Sequence, residues 1–174
     1  MDAAASFGRV LAKGNIGLVY GGGSVGLMGA LAEAVLDGGG RVTGVIPEFL
    51  VNREHMLLRV QERIVTRDMH ERKRIMFERA DAFVALPGGI GTLEELFEVL
   101  SWRTLGLHTK PIVIVDQGGF WGPLAALLRG IVEGGFAERS HLDHVAFVSD
   151  LKDVLPAIAA MPRSAGFEKR LDRV

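Results

Sequence analysis

Apolar positions along this 174-residue chain follow two alternating rhythms. Short runs rich in β-branched residues predict strands at Ile16–Tyr20, Arg41–Ile46, Ala82–Leu86, Pro111–Asp116 and Val145–Val148, with Gln61–Thr66 a weaker sixth. Most are almost continuously apolar, as in parallel strands covered on both faces. Between them, Val25–Asp37, Met69–Arg79, Thr92–Leu105, Pro123–Glu133 and Leu151–Ala160 carry the helical period. Such alternation reads as βαβ units: an α/β protein with a doubly wound, mostly parallel sheet flanked by helices. No internal repeat, low-complexity tract or linker interrupts it. The expectation is therefore one domain over residues 1–174, with about 162–174 as a C-terminal tail.

Composition narrows the chemistry. Twenty Lys and Arg against 21 Asp and Glu leave a net charge of -1, so there is no global field to attract nucleic acid or an anionic membrane. Any bound anion must be held locally. Cysteine is absent, which removes disulfides, thiolate metal ligation and cysteine nucleophiles together. No apolar run approaches the roughly 18 residues of a membrane span, and the N-terminus lacks the pattern of a signal peptide. A cytoplasmic location is the expectation. Glycine is the outlier, 23 residues against a usual share of about 7%.

Those glycines cluster where two strands meet helices. Gly21-Gly22-Gly23-Ser24-Val25-Gly26 follows the first strand, and Pro87-Gly88-Gly89-Ile90-Gly91-Thr92 follows the run ending at Leu86. In open α/β sheets ligands bind at the carboxyl ends of strands. Glycine lets a ligand approach the backbone, and a helix start offers free N–H groups to an anion. One such loop alone is as readily a tight strand-to-helix turn as a site; two in corresponding places point to a nucleotide or sugar-phosphate site. Gly21, Gly23 and Gly26 also match G-x-G-x-x-G, with Glu48 near a ribose-binding position. That dinucleotide reading leaves the second loop unexplained and stands as an alternative.

The helix after the second loop carries Leu93, Leu96, Phe97 and Leu100 as one apolar stripe, with Thr92 placed as its N-cap and Glu95 in capping-box spacing. Glu94 and Glu98 read as a solvated face. Glu95, in the expected first turn, either caps the helix or meets the electron-poor carbon of a bound sugar. In the preceding helix, Arg72 and Lys73 share a face with Met69, Met76 and Ala80. Two cations thus interrupt a core-facing stripe, so they either meet anions or snorkel to water. Arg74 and Arg79 read as surface charges. His141 and His144 lack metal-ligand spacing, no G-x-S-x-G elbow is present, and Trp102 and Trp121 suit packing.

Three segments together resemble the LONELY GUY (LOG) family, the cytokinin riboside 5'-monophosphate phosphoribohydrolases. They are Gly21-Gly22-Gly23-Ser24-Val25-Gly26-Leu27-Met28, Met69-His70-Glu71-Arg72-Lys73, and Pro87-Gly88-Gly89-Ile90-Gly91-Thr92-Leu93-Glu94-Glu95. The resemblance runs from about Ala12 to about Ala160. It implies a Rossmann-like fold and hydrolysis of the N-glycosidic bond of adenine-type nucleoside 5'-monophosphates, plain or N6-prenylated, to free base and ribose 5-phosphate. AMP and isopentenyladenosine monophosphate are the substrates it suggests. By the family's motif, Arg72 and Glu95 are the catalytic pair. Substrate contacts come from Gly22, Gly23, Met28, Glu54, Arg72, Lys73, Gly88, Gly89, Ile90, Gly91, Thr92, Leu93, Glu94, Glu95 and Ser101, the last where the family often has threonine.

The resemblance further implies a homodimer that uses no cofactor and no metal. Older relatives carry the label lysine decarboxylase, which nothing in this short chain supports. Family members usually begin with another strand, whereas this sequence begins inside the helix that follows it, so that strand is expected to be absent. Chemically, a carboxylate such as Glu95 suits an oxocarbenium-like transition state, and Arg72 suits either phosphate or the departing base. A non-catalytic carrier of a phosphorylated ligand, like the molybdenum-cofactor carriers, is the competing reading.

Overall fold

The computed structural model describes residues 2–162, so the expected tail, apart from Pro162 at its start, lies outside the described residues. In chain order the elements are α1 (Asp2–Lys13), β1 (Leu18–Tyr20), α2 (Gly26–Asp37), β2 (Val42–Pro47), β3 (Glu62–Thr66), α3 (Met69–Arg79), β4 (Phe83–Ala85), α4 (Ile90–Thr104), β5 (Ile112–Val115), α5 (Gly122–Glu133), β6 (Ala146–Val148) and α6 (Val154–Ala160). Short 3-10 turns occupy Glu48–Leu50, Gln117–Gly119, Arg139–His144 and Leu151–Asp153. The α/β class and the all-parallel pairing are those the apolar rhythm predicts. The described strands form two three-stranded ladders, β1-β2-β3 and β4-β5-β6, and the chain divides into two compact units at Ala80/Asp81.

In the first unit β2 is central, paired in parallel with β1 (Tyr20 opposite Gly44) and β3 (Ile46 opposite Val65). Val42, Val45, Ile46 and Pro47 are all buried. Successive side chains point to opposite faces, so the burial of Val42 and Ile46 on one and of Val45 and Pro47 on the other shows the strand covered on both. Helices α2 and α3 both pack on it, and α1 packs on α2. The α1–α2 contact depends on missing side chains: a Cβ at Gly8 would come within 2.7 Å of Ala34 Cβ and the Leu31 carbonyl. Asp68 caps α3, its Oδ1 accepting from Glu71 N–H at 2.8 Å, while Glu71 Oε2 accepts from the Arg67 N–H at 2.9 Å.

In the second unit β5 is central and entirely buried. Ile112 and Ile114 join Leu96 and Leu100 of α4, Leu124 of α5, Trp121 and Val145 in one cluster. Each fully buried aliphatic side chain contributes about 1.5–3 kcal/mol. The α4 stripe is realised in part: Leu96 and Leu100 are core, Leu93 packs at its edge, and Phe97 is 38% exposed. Helix α6 lies against β5. Residues Leu151–Asp153 before it form a 3-10 turn rather than the α-helix expected from Leu151.

Candidate active site

The residues expected at the site fall into two sets, one in each unit. In the first unit β1 ends at Tyr20 and the chain turns at once into Gly21-Gly22-Gly23. Gly22 has φ +83°, in the left-handed region, and a Cβ there would meet Ile46 Cβ at 3.0 Å, so this turn needs glycine. Segment 54–57 then closes on the loop. Leu57 N–H donates to the Gly22 carbonyl at 2.9 Å, Ser24 N–H donates to the carbonyls of Glu54 (3.2 Å) and His55 (3.1 Å), and Gly23 bridges to Met56. His55 reaches this geometry at φ +49°.

Three of the expected side chains converge on that loop. The Arg72 guanidinium lies against Gly21, where any Cβ would collide with it, and Met28 Sδ would stand 3.1 Å from the same Cβ. At Gly23 a Cβ would lie 2.9 Å from Met28 Cε and 3.3 Å from Glu54 Oε2. Arg72 is 7% exposed, which separates it from Arg74 and Arg79, both paired at the surface with Glu78 and Glu62. Arg72 Nη1 also reaches Met69 Sδ at 3.7 Å, and Lys73 beside it is half-buried. The Glu54 Oε2 atom is buried and has no hydrogen-bond partner among the described residues. The site therefore offers a guanidinium, a carboxylate acceptor and a thioether around close-approach backbone.

The second unit repeats the plan after β4. Here Thr92 is not the N-cap: α4 begins two residues earlier, at Ile90, and Gly89 precedes it with no side-chain cap. Glycine at 88–91 lets the helix start inside the loop, which the capping-box spacing could not reveal. Glu95 consequently stands beyond the first turn and closes no capping box. Thr92 instead packs its hydroxyl and methyl onto Gly88, where a Cβ would collide with it. Gly89, Ile90, Gly91 and Glu94 are exposed, whereas Gly88, Leu93 and Glu95 are half-buried. Ser101 is exposed two turns further along α4. Glu48, from the dinucleotide alternative, is exposed in the 3-10 turn after β2.

Sequence reasoning passed over Tyr20, whose ring is buried at the root of the first loop. Its hydroxyl has no hydrogen-bond partner among the described residues, and burial, with Glu33 adding to it, pushes the phenol up to about 12. It also passed over the 54–57 closure, because a single bridge and three backbone bonds leave no periodic trace. No helix among the described residues is long and apolar enough to cross a membrane.

Residues 28–158 match the family described as "Possible lysine decarboxylase". A rice protein (Oryza sativa subsp. japonica) named "Probable cytokinin riboside 5'-monophosphate phosphoribohydrolase LOGL2" is 50% identical over 80% of this chain and 57% of its own length. The "Cytokinin riboside 5'-monophosphate phosphoribohydrolase" of Rhodococcoides fascians is 45% identical over 89% of this chain and 79% of its own. That of Arabidopsis thaliana named LOG3 is 49% identical over 88% and 72%. The chain thus spans little more than half the length of the rice relative. Among solved structures, the molybdenum cofactor carrier protein of Chlamydomonas reinhardtii is similar at a TM-score of 0.66 and 20% identity, covering 92% of this chain and 86% of its own. The molybdenum cofactor binding protein of Rippkaea orientalis is similar at 0.66 and 21% identity, over 91% and 85%. At such identity the likeness extends to the fold alone. With relatives near 50% identical over most of its length, this chain belongs to the LONELY GUY (LOG) family of cytokinin riboside 5'-monophosphate phosphoribohydrolases.

Proposed function

We propose that this chain hydrolyses the N-glycosidic bond of adenine-type nucleoside 5'-monophosphates, releasing the free base and ribose 5-phosphate. The observation that carries the reading is the pairing, on one glycine loop, of the Arg72 guanidinium at Gly21 and the Glu54 carboxylate at Gly23, whose Oε2 is buried without a hydrogen-bond partner among the described residues. A sugar hydroxyl is a donor that such a carboxylate can accept from, and the exposed backbone that follows at Val25 and Gly26 suits a phosphate. Family membership supplies the rest of the assignment.

In this reaction water adds to the anomeric carbon as the bond to the base nitrogen breaks, and the base leaves with a proton. Glu95 stabilises the oxocarbenium-like state and orients the water; Arg72 supplies positive charge to the phosphate or to the departing base. Lys73, Met28, Ser101, Gly22, Gly23 and residues 88–94 line the substrate. The chain works as one nucleotide-binding domain, without cofactor or metal, as a homodimer in the cytoplasm.

The test is chromatographic detection of free base from AMP and from isopentenyladenosine monophosphate. Base release by the native protein and its loss in Glu95→Gln are expected, and the ratio of the two rates names the preferred base. Full activity in Arg72→Ala or Glu95→Ala would sink the assignment. A folded protein that binds AMP and releases nothing would favour the carrier reading.

A further inference from the structure

Two thioethers flank the Arg72 guanidinium on the first glycine loop. Nη1 lies 3.7 Å from Met69 Sδ. The other terminal nitrogen, Nη2, rests on Gly21, and Met28 Sδ stands against the same point of the backbone. The contact with Met69 is built into one helical turn. Met69 is the first residue of α3, directly behind the Asp68 cap, and Arg72 three residues on shares its face. Arg72 N–H donates to the Asp68 carbonyl at 3.2 Å, which fixes the spacing of that turn.

The thioether is only a weak acceptor, and the guanidinium beside it keeps its charge at every relevant pH. Arg72 is buried, whereas Met69 is half-buried and open to a small solute. The chain has no cysteine, so its methionine sulfurs are the groups that a peroxide oxidises first. Met69 is the one whose sulfur meets a charged side chain of the candidate site directly.

We propose that Met69 is an oxidation site, and that its sulfoxide draws Arg72 away from Gly21. Hydrogen peroxide gives one oxygen atom to the Sδ lone pair; the O–O bond breaks, the sulfur loses two electrons and water leaves. The new oxygen is polar and a stronger acceptor than the thioether, and it enters a contact that has no spare room. Nη1 therefore moves to donate to it. The guanidinium is a rigid planar fork, so Nη2 moves with Nη1 and leaves the glycine backbone. A two-thiol reductant of the methionine sulfoxide reductase class returns the oxygen to water as its thiols pair into a disulfide, which makes the change reversible. That oxidation silences base release rests on the reaction proposed above; that it uncovers Arg72 does not.

The experiment treats the full chain with hydrogen peroxide and then with phenylglyoxal, which labels accessible guanidinium groups; peptide masses report both changes residue by residue. Met69 is expected to gain one oxygen before the buried Met161 does, and Arg72, protected beforehand, to label afterwards as readily as the exposed Arg63. Base release from AMP is expected to fall in step by about a hundredfold, the scale of a roughly 1 Å misplacement. Sulfoxide reductase with dithiothreitol restores both. Met69→Leu, close to methionine in volume, keeps Arg72 protected through the same treatment, while Met76→Leu responds as the native chain does. Met69→Gln, an unbranched side chain that carries its own carbonyl oxygen, uncovers Arg72 without peroxide. Three outcomes would each overturn the proposal: Arg72 still protected when Met69 is fully oxidised, Met69 slower to oxidise than Met161, or Met69→Leu as sensitive as the native chain. Should the native chain release no base at all, the arginine labelling still decides.

Discussion

The Arg72 guanidinium rests on the backbone of Gly21, with no room between them for a side chain. Gly21 does not have a positive φ, so its backbone accommodates alanine without strain. In Gly21→Ala the new methyl displaces the guanidinium and crowds Met28 Sδ instead. Base release is expected to fall about a hundredfold, the scale of a 1 Å misplacement of a reacting group, while the melting temperature changes little. Activity within a few-fold of the native protein would show that Arg72 needs no such placement.

Glu54 holds an acceptor ready beside Gly23, with Oε2 buried and unpartnered among the described residues. Glu54→Gln keeps the shape and removes the charge. A substrate hydroxyl then loses a charged acceptor, so KM is expected to rise about tenfold. Stability is expected to hold or improve, because a buried carboxylate without a partner costs free energy. Thermal melts and substrate titration on the same preparation separate the two effects; a lower melting temperature with unchanged KM would make Glu54 structural.

Tyr20 is the only tyrosine in the chain, so its ionisation is readable by ultraviolet absorbance. Burial pushes it up to about 12, and the titration of the folded protein is expected to show a midpoint well above 10. Tyr20→Phe removes a hydroxyl that makes no hydrogen bond among the described residues, so stability should stay level or rise. An ordinary midpoint, or a clear loss of stability in the phenylalanine variant, would mean that the hydroxyl has a partner in solution.

His108 and His144 are both held below their ordinary value of 6.5, in each case mainly by burial. The folded state thus prefers them neutral, while the unfolded chain takes up protons near pH 6.5. Their contribution is complete above that pH and declines as pH falls through the lower folded-state values. The urea midpoint is expected to drop between pH 7.5 and 5.5, with a smaller drop in His144→Gln. Asp68, Glu71 and Asp150, all held below the usual carboxylate range, add their own loss at lower pH. A flat midpoint across pH 7.5–5.5 would contradict the burial of both imidazoles.

Most strands and helices lay open in the sequence because each buries an apolar set with a short, regular period. Met69–Arg79 was legible to the residue, since Asp68 and Glu71 mark its start and the chain leaves the helix at Ala80. The start of α4 was not, because a threonine three residues before a glutamate looks like a cap whether or not the helix has already begun. Phe97 shows the same limit from another side. Its spacing places it on the apolar stripe, but the packing of Leu96 and Leu100 leaves it at the edge.

The sequence by itself determined the α/β class, the two glycine loops after β1 and β4, and the family motifs holding Arg72 and Glu95. These depend on local rules: side-chain period, backbone freedom and residues near one another in the chain. Only the tertiary structure decided that Arg72 is buried on Gly21, that Glu54 meets Gly23 across some thirty residues of chain, and that Thr104 at the end of α4 meets His144. Such pairings join residues distant in sequence, and their energetics turn on desolvation, which depends on what surrounds a charge rather than on its neighbours along the chain.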